Sequence, residues 1–101
     1  LQERNFGDWD SWDWPEIARE LDRLTIEERY IFTPPNGESW QQMEKRLRVA
    51  LDQIAVLPCE SVVLVTHWGP IRALIPMLNS QPLETTLQLE VANGECFRFD
   101  L

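Results

Sequence analysis

Apolar side chains recur at helical spacing in several parts of the chain. The first such stripe predicts a helix from about residue 14 to residue 24, with Asp13 as its N-cap. The second begins after Ser39, which forms a capping-box pattern with Gln42, and it ends before Pro58. Both stripes are apolar on one face and polar on the other, so each helix should pack one side against a core.

Prolines divide the rest of the helical pattern. The segment from Thr25 to Ser39 carries charges followed by two prolines and a glycine, and we predict a loop there. A further helix is predicted from Pro70 to Leu78, because Pro70 suits a first helical turn. Pro76 lacks an amide donor and should kink or shorten that helix.

Two regions have the pattern of strands. Val62 to Val65 are apolar in succession, which is typical of a central strand that is covered on both faces. Residues 87–91 and 97–101 alternate apolar and polar positions around a turn, which predicts a hairpin.

The register of that hairpin follows from its apolar positions. A loop of three residues, Asn93 to Glu95, places Val91 opposite Phe97 and aligns the remaining apolar pairs, which are Leu89 with Phe99 and Leu87 with Leu101. A pairing of Ala92 with Glu95 would contradict this register. The order of elements predicts a layered α/β unit with at least three strands.

Composition narrows the range of partners. The chain has 101 residues, with 17 Asp+Glu against 9 Lys+Arg and a formal net charge of −8. A length near 100 allows a single domain. The negative charge disfavours nucleic acid and anionic membranes as partners, and no apolar run approaches the length needed to span a bilayer.

The two cysteines give little support to a metal site or a disulfide. Cys59 and Cys96 lack CxxC spacing and neighbouring histidines, so we expect buried thiols in a reducing compartment. No signal-peptide pattern opens the sequence, and we predict a cytoplasmic protein. Because position 1 is Leu rather than Met, we expect the sequence to begin inside a longer one.

The only histidine, His67, follows the predicted central strand and precedes a helix start. Ligands bind at such positions in α/β proteins, but a histidine that merely hydrogen-bonds at a strand end is an equally good interpretation. Glu3 and Arg4, taken alone, have the pattern of a surface ion pair. The five tryptophans could line a cleft, although a core role is favoured; they are Trp9, Trp12, Trp14, Trp40 and Trp68.

Three ordered blocks carry a resemblance to a known family. They are Leu1 to Trp9, Pro35 to Ser39, and Val62 to Leu74. In this order they resemble the histidine phosphatase superfamily, the phosphoglycerate mutase-like proteins. The resemblance implies a three-layer α/β/α fold, of which residues 1–101 would be the C-terminal part, without the N-terminal strand and helices.

The resemblance also implies roles for individual residues. His67 matches the second histidine of the family, which contacts the phosphoryl oxygens, and Glu3 matches the acid that protonates the leaving oxygen. Arg4 matches a substrate-contacting arginine of the mutase branch. Trp68 and Gly69 lie beside the expected phosphate site, and Trp68 replaces a small residue there. No metal or cofactor is implied.

Three functions remain open. The first is a phosphomonoester hydrolase that works through a phosphohistidine, with a phosphorylated small molecule as substrate. Its Arg-His-Gly nucleophile is absent from this sequence, so the chain should be inactive alone. The short segment between Trp9 and Gly37 favours an α-ribazole phosphatase or broad-specificity type. The second is a non-catalytic binding or assembly module, which could form homo-oligomers through an exposed sheet edge. The third is a phosphoglycerate mutase.

Overall fold

The computed structural model describes residues 1–100, without the side chains of residues 87 and 88. Within that range the regular elements are all helical. In chain order they are a 3₁₀ helix at Gly7–Ser11 and the α-helices α1 (Trp14–Leu21), α2 (Ile26–Ile31), α3 (Trp40–Ala55), α4 (Trp68–Asn79) and α5 (Leu83–Gln88).

The predicted three-layer α/β/α fold is wrong for this structure, because residues 1–100 contain no strand. The segment Val62 to Val65 is irregular, and the side chains of Val63 and Val65 are 88% and 89% exposed. A strand forms only when a neighbouring strand satisfies its backbone groups. Among the described residues no other segment hydrogen-bonds to the backbone of this one. The apolar pattern indicated a tendency toward burial but did not show which segment would pair with this one as a neighbouring strand.

The predicted hairpin is also wrong. Its first half overlaps α5, which packs against α4 and buries Thr86. The N–H of Glu95 donates to the carbonyl of Ala92 at 3.1 Å, so the turn has two central residues rather than three. Packing against α4 outweighs the alternating pattern here, as tertiary contacts often do. Leu101, one end of the predicted pairing, lies outside the described residues.

Three predicted helices are present, with altered ends. The capping box of α3 is confirmed: the N–H of Ser39 donates to Gln42 Oε1 at 2.8 Å, and the N–H of Gln42 donates to Ser39 Oγ at 3.0 Å. Helix α1 ends at Leu21, three residues earlier than predicted. Helix α4 runs past Pro76 to Asn79, so this proline does not shorten it.

Helix α2 lies where a loop was predicted. Its N-terminus is a capping box, in which Thr25 Oγ1 accepts from the N–H of Glu28 at 3.1 Å and the Thr25 N–H donates to the Glu28 carboxylate at 3.0 Å. The Thr-x-x-Glu spacing was therefore a usable signal. The helix is only six residues long, too short to show a periodic apolar stripe.

The core lies between α3 and α4. Met43 and Leu47 of α3 are fully buried, and they pack with Trp40 and with Ala73 and Leu74 of α4. This contact fixes the position of α4, and the start of α4 carries the candidate site. No helix in the described part of the chain is long and apolar enough to cross a membrane.

Both cysteines are at the surface, so the prediction of buried thiols is wrong. Cys59 and Cys96 are free and exposed. Each lies in an irregular segment rather than on a helix that faces the core. The preference of cysteine for burial holds only where the surrounding segment packs.

Candidate functional site

The first residues of the chain lie beside the start of α4. The hydroxyl of Thr66 donates to the carbonyl of Leu1, and His67 Nδ1 lies 3.4 Å from the same oxygen. Two residues further on, the Glu3 carboxylate accepts from the N–H of Gly69 at 3.1 and 3.3 Å. These contacts bring the segment of Glu3 and the segment of His67 together, although 64 positions separate them in the sequence.

His67 is the N-cap residue of α4. Its backbone is extended, and its imidazole is exposed to solvent, where a ligand can reach it. The positive end of the helix dipole lies at the same point, which favours negative charge next to this ring. In the described part of the chain no group of three or more His, Cys, Asp or Glu residues is arranged to hold a metal ion.

The carboxylate of Glu3 lies at the N-terminus of α4. It accepts from the N–H of Gly69, in the first turn of α4. A Cβ on residue 69 would lie 2.3 Å from Glu3 Oε1, so the contact in its present form requires glycine. Gly69 therefore holds Glu3 in place, and its position beside a phosphate, which the resemblance implies, stays a prediction.

Arg4 is buried, in contrast to the surface position expected for an isolated Glu-Arg pair. Its Nε donates to the carbonyl of Glu38 at 3.3 Å, and its guanidinium lies 4.7 Å from the centre of the Phe6 ring. Burial lowers the pKa of Arg4 to about 10, and the nearby charge of Arg29 acts in the same direction. The attraction of Glu38 only partly offsets these effects.

Arg46 of α3 supports the segment that carries Glu3. Its Nη2 donates to the carbonyls of Gln2 and Glu3 at 2.8 and 3.1 Å, and it forms an ion pair with Glu38 at 2.7 Å. Burial acts to raise the pKa of Glu38, but the hydrogen bonds from Arg46 and from the N–H of Asn5 outweigh it, so the pKa lies below its ordinary value. No motif in the sequence had pointed to Arg46.

Two loops cross next to this ion pair. The N–H of Asp8 donates to the carbonyl of Pro35, and the N–H of Glu38 donates to that of Asn5, both at 2.8 Å. Gly7 has a φ of +58°, and a Cβ there would lie 2.1 Å from the oxygen of Pro35. The first two blocks of the resemblance are thus in direct contact. This contact fixes the segment that follows Glu3 in the sequence.

A cavity of about 840 Å³ opens beside the α4 terminus. Four of the five predicted site residues line it, and they are Glu3, Arg4, Trp68 and Gly69. The fifth, His67, is not among its lining residues. The structure therefore separates His67 from the cavity that its neighbours share.

Two arginines of the cavity wall, Arg29 and Arg72, were missed by the sequence analysis. Arg72 is 7% exposed; its Nη2 donates to the carbonyl of Thr86 at 3.0 Å, and its Nε has no hydrogen-bond partner. Burial lowers the pKa of Arg72, and the charge of Arg29 lowers it further. A cation within the apolar run of the third predicted helix, from Pro70 to Leu78, was the available signal.

The tryptophans divide between core and cavity. Trp40 is buried in the core, as favoured, and also borders the cavity. Trp14 and Trp68 line the cavity and remain exposed, with their rings edge to face at 5.2 Å. Trp9 stacks on Trp12 at 4.6 Å, away from the cavity lining.

Comparison with known proteins gives a match over the whole chain. The family model of the histidine phosphatase superfamily (branch 1) matches residues 1–101. A bifunctional protein of Mycobacterium tuberculosis is 31% identical over 105 residues, which cover 100% of this chain and 26% of that protein. A 2,3-bisphosphoglycerate-dependent phosphoglycerate mutase of Bartonella henselae is 28% identical over 100 residues, which cover 93% of this chain and 48% of the mutase. The chain thus spans half or less of the length of these relatives. No solved structure matches it significantly.

Proposed function

Because the chain belongs to the histidine phosphatase superfamily, for which phosphatase or mutase-type activity is expected, we propose that it supplies part of a site that hydrolyses a small phosphomonoester. The observation that supports this proposal is that the start of α4 holds both residues: His67 is its N-cap and contacts the Leu1 carbonyl, and Glu3 accepts from the N–H of Gly69. A carboxyl group and an imidazole at a positive helix end are the groups that phosphoryl transfer to water requires around its leaving oxygen and its phosphoryl oxygens.

His67 acts on the phosphoryl group in this proposal. Its exposed imidazole, when protonated, donates to a phosphoryl oxygen and stabilises the charge that develops there. The contact between its Nδ1 and the carbonyl of Leu1 orients the ring, which leaves Nε2 for the phosphoryl oxygen.

Glu3 acts on the leaving group. As the bond between phosphorus and the ester oxygen breaks, its carboxyl group gives its proton to that oxygen, and an alcohol departs. The Gly69 N–H, which donates to the Glu3 carboxylate, and Arg46 Nη2, which donates to the Glu3 carbonyl, hold Glu3 in position for this transfer. Gly69 and Arg46 are positioning residues here.

A phosphohistidine route requires a second imidazole. One histidine attacks phosphorus while a cationic donor holds the oxygens, and these 101 residues contain His67 alone. We therefore assign the attacking histidine to a segment that bears Arg-His-Gly and that is not among these residues. On this proposal the 101 residues alone do not hydrolyse phosphomonoesters.

The test joins the chain to an Arg-His-Gly segment from an active superfamily member. The fused protein should hydrolyse p-nitrophenyl phosphate, whereas the 101 residues alone should not. Glu3→Gln in the fused protein should slow phenyl phosphate more than p-nitrophenyl phosphate, because the poorer leaving group depends more on protonation. Glu27→Gln, at an exposed acid of α2, is the matched control. Hydrolysis by the chain alone at the rate of the fused protein would contradict the proposal.

A phosphoglycerate mutase is the second candidate. The name of the Bartonella relative favours it, as does the position of Arg4 in the cavity wall. A bisphosphate-dependent isomerase assay on the fused protein distinguishes the two functions. We expect hydrolysis without isomerisation of phosphoglycerate, and isomerisation faster than hydrolysis would establish the mutase instead.

A further inference from the structure

The cavity beside Glu3 is large enough for an organic molecule. Its volume of about 840 Å³ falls in the range of small-molecule sites, which is roughly 300 to 1,000 Å³. Glu3 and Gly69 line it and His67 does not. An occupant would therefore lie next to the carboxylate assigned to the leaving oxygen rather than at the imidazole. We call this cavity the arginine–tryptophan pocket, after Arg4, Arg29 and Arg72 and after Trp14, Trp40 and Trp68.

The charge of the pocket is opposite to that of the chain. Three guanidinium groups line it against the single carboxylate of Glu3, although the chain as a whole has a formal charge of −8. The charge of Arg29 lowers the pKa of both Arg4 and Arg72, so Arg29 lies close enough to repel each of these two cations. An anion among them would relieve that repulsion.

Arg72 has an unused donor. Its side chain is more than nine-tenths buried, and its Nε has no partner among the described residues. A buried polar group without a hydrogen bond is costly, and buried charges are normally paired. Arg29 forms an ion pair with Asp22 at 3.8 Å, whereas Arg72 has no ion-pair partner within residues 1–100.

Aromatic faces border the same space. The guanidinium of Arg72 lies 4.1 Å from the centre of the Trp68 ring, and Trp14 meets that ring edge to face. Both tryptophans remain more than one third exposed. Exposed indole rings beside a buried cation suit a ligand that is planar and negatively charged.

We propose that the arginine–tryptophan pocket binds an aromatic carboxylate, with its ring against Trp14 and Trp68 and its carboxylate at Arg72 and Arg29. This inference rests on the proposed function, in which the aromatic acid is the leaving group of the phosphomonoester and its ester oxygen lies beside Glu3. The substrate class is thus a phosphorylated aromatic acid.

The test uses 2-naphthoate and the 101-residue chain. Its binding is measured by quenching of tryptophan fluorescence and by calorimetry, with 2-naphthalenemethanol as the uncharged analogue and inorganic phosphate as a competitor. We expect 2-naphthoate to bind about tenfold more tightly than the alcohol, since only the anion forms charge-assisted hydrogen bonds. Phosphate should not displace it. Equal affinities of the two naphthalenes, or no binding, would overturn the proposal.

Variants identify the cation. Arg72→Met should reduce the affinity for 2-naphthoate to that of the alcohol and leave the alcohol unchanged. Arg98→Met removes the same charge from an exposed side chain and should have no effect. If circular dichroism shows that Arg72→Met does not fold, Arg29→Met serves in its place. Equal losses in the Arg98 variant and the pocket variant would refute the site.

This experiment is independent of hydrolysis. If the chain does not bind 2-naphthoate but the fused protein still hydrolyses p-nitrophenyl phosphate, the proposal of an aromatic acid is refuted and the proposed phosphatase function is retained. If the chain binds 2-naphthoate but the fused protein shows no hydrolysis, the ligand site is supported and the proposed phosphatase function is refuted.

Discussion

Replacement of Gly69 by alanine tests the contact that brings Glu3 to α4. The new Cβ would lie 2.3 Å from Glu3 Oε1 and 3.3 Å from Glu3 Cδ. The oxygen must therefore move by about 1 Å to reach an ordinary contact distance. That movement breaks the hydrogen bonds from the Gly69 N–H, which measure 3.1 and 3.3 Å.

Two effects of similar size oppose each other in this variant. A hydrogen bond to a charged group contributes roughly 1.5 to 3 kcal/mol, and the exposure of Glu3 places this one at or below the lower end. Alanine in place of glycine in a helix raises the free energy of unfolding by up to about 1 kcal/mol. We therefore expect the free energy of unfolding to change by less than about 1 kcal/mol, although Glu3 has left its position.

A double-mutant cycle separates these effects. In a Glu3→Ala background there is no carboxylate to displace, so Gly69→Ala should stabilise the protein by about 0.5 to 1 kcal/mol. The free energies of unfolding are measured by urea denaturation of the four proteins. If Gly69→Ala has the same effect in both backgrounds to within about 0.3 kcal/mol, Glu3 does not contact Gly69 and the description of the site is wrong.

Two further predictions concern the supports of this site. Gly7→Ala should destabilise the protein by more than about 2 kcal/mol in urea denaturation, because its Cβ would clash with the Pro35 oxygen. The control is Gly94→Ala, which is also at positive φ but in open space and should destabilise the protein by only about 1 kcal/mol. Equal losses in the two variants would show that the two loops do not cross at Gly7. Since the pKa of Glu38 is below its ordinary value of 4.5 in the folded protein, its contribution to stability is present above that value and is lost as the pH falls through the lower folded pKa. Denaturation from about pH 5 to pH 3 should therefore show a steeper loss in the wild type than in Glu38→Gln, and parallel curves would show that Arg46 does not stabilise the Glu38 carboxylate.

Local signals in the sequence predicted local structure well. Ser39 and Gln42 predicted the start of α3, because a capping box needs only residues three positions apart. The same signal stood at Thr25 and was not used, so α2 was missed. Prediction from spacing worked where the stabilising partner lies within the same turn.

Strand formation could not be predicted in this way, because the partner of a strand lies elsewhere in the chain. Val62 to Val65 have the composition of a buried strand, but the three valines of this segment are exposed in the described structure. Residues 87 and 88 begin the predicted hairpin but are the end of α5, a helix in which the carbonyl of Thr86 accepts a hydrogen bond from Arg72 of α4. The alternation of polar and apolar residues predicts neither outcome.

The candidate site was predicted in part. The resemblance pointed to Glu3 and His67, and the structure brings their segments together. It gave no indication of Arg29, which lies outside its three blocks, and it assigned no role to Arg72, which lies within the third. Their grouping depends on how α2 and α4 each pack against α3, and the spacing of residues in the sequence does not show this.

The rate of p-nitrophenyl phosphate hydrolysis by the fused protein with His67→Ala tests the central claim most directly. Loss of a group that stabilises charge in the transition state typically lowers kcat by a factor of about 10² to 10³. We predict a loss of that size with the fold retained, and no loss in the control Glu27→Gln. A rate within about twofold of the unsubstituted fused protein would show that His67 has no part in phosphoryl transfer.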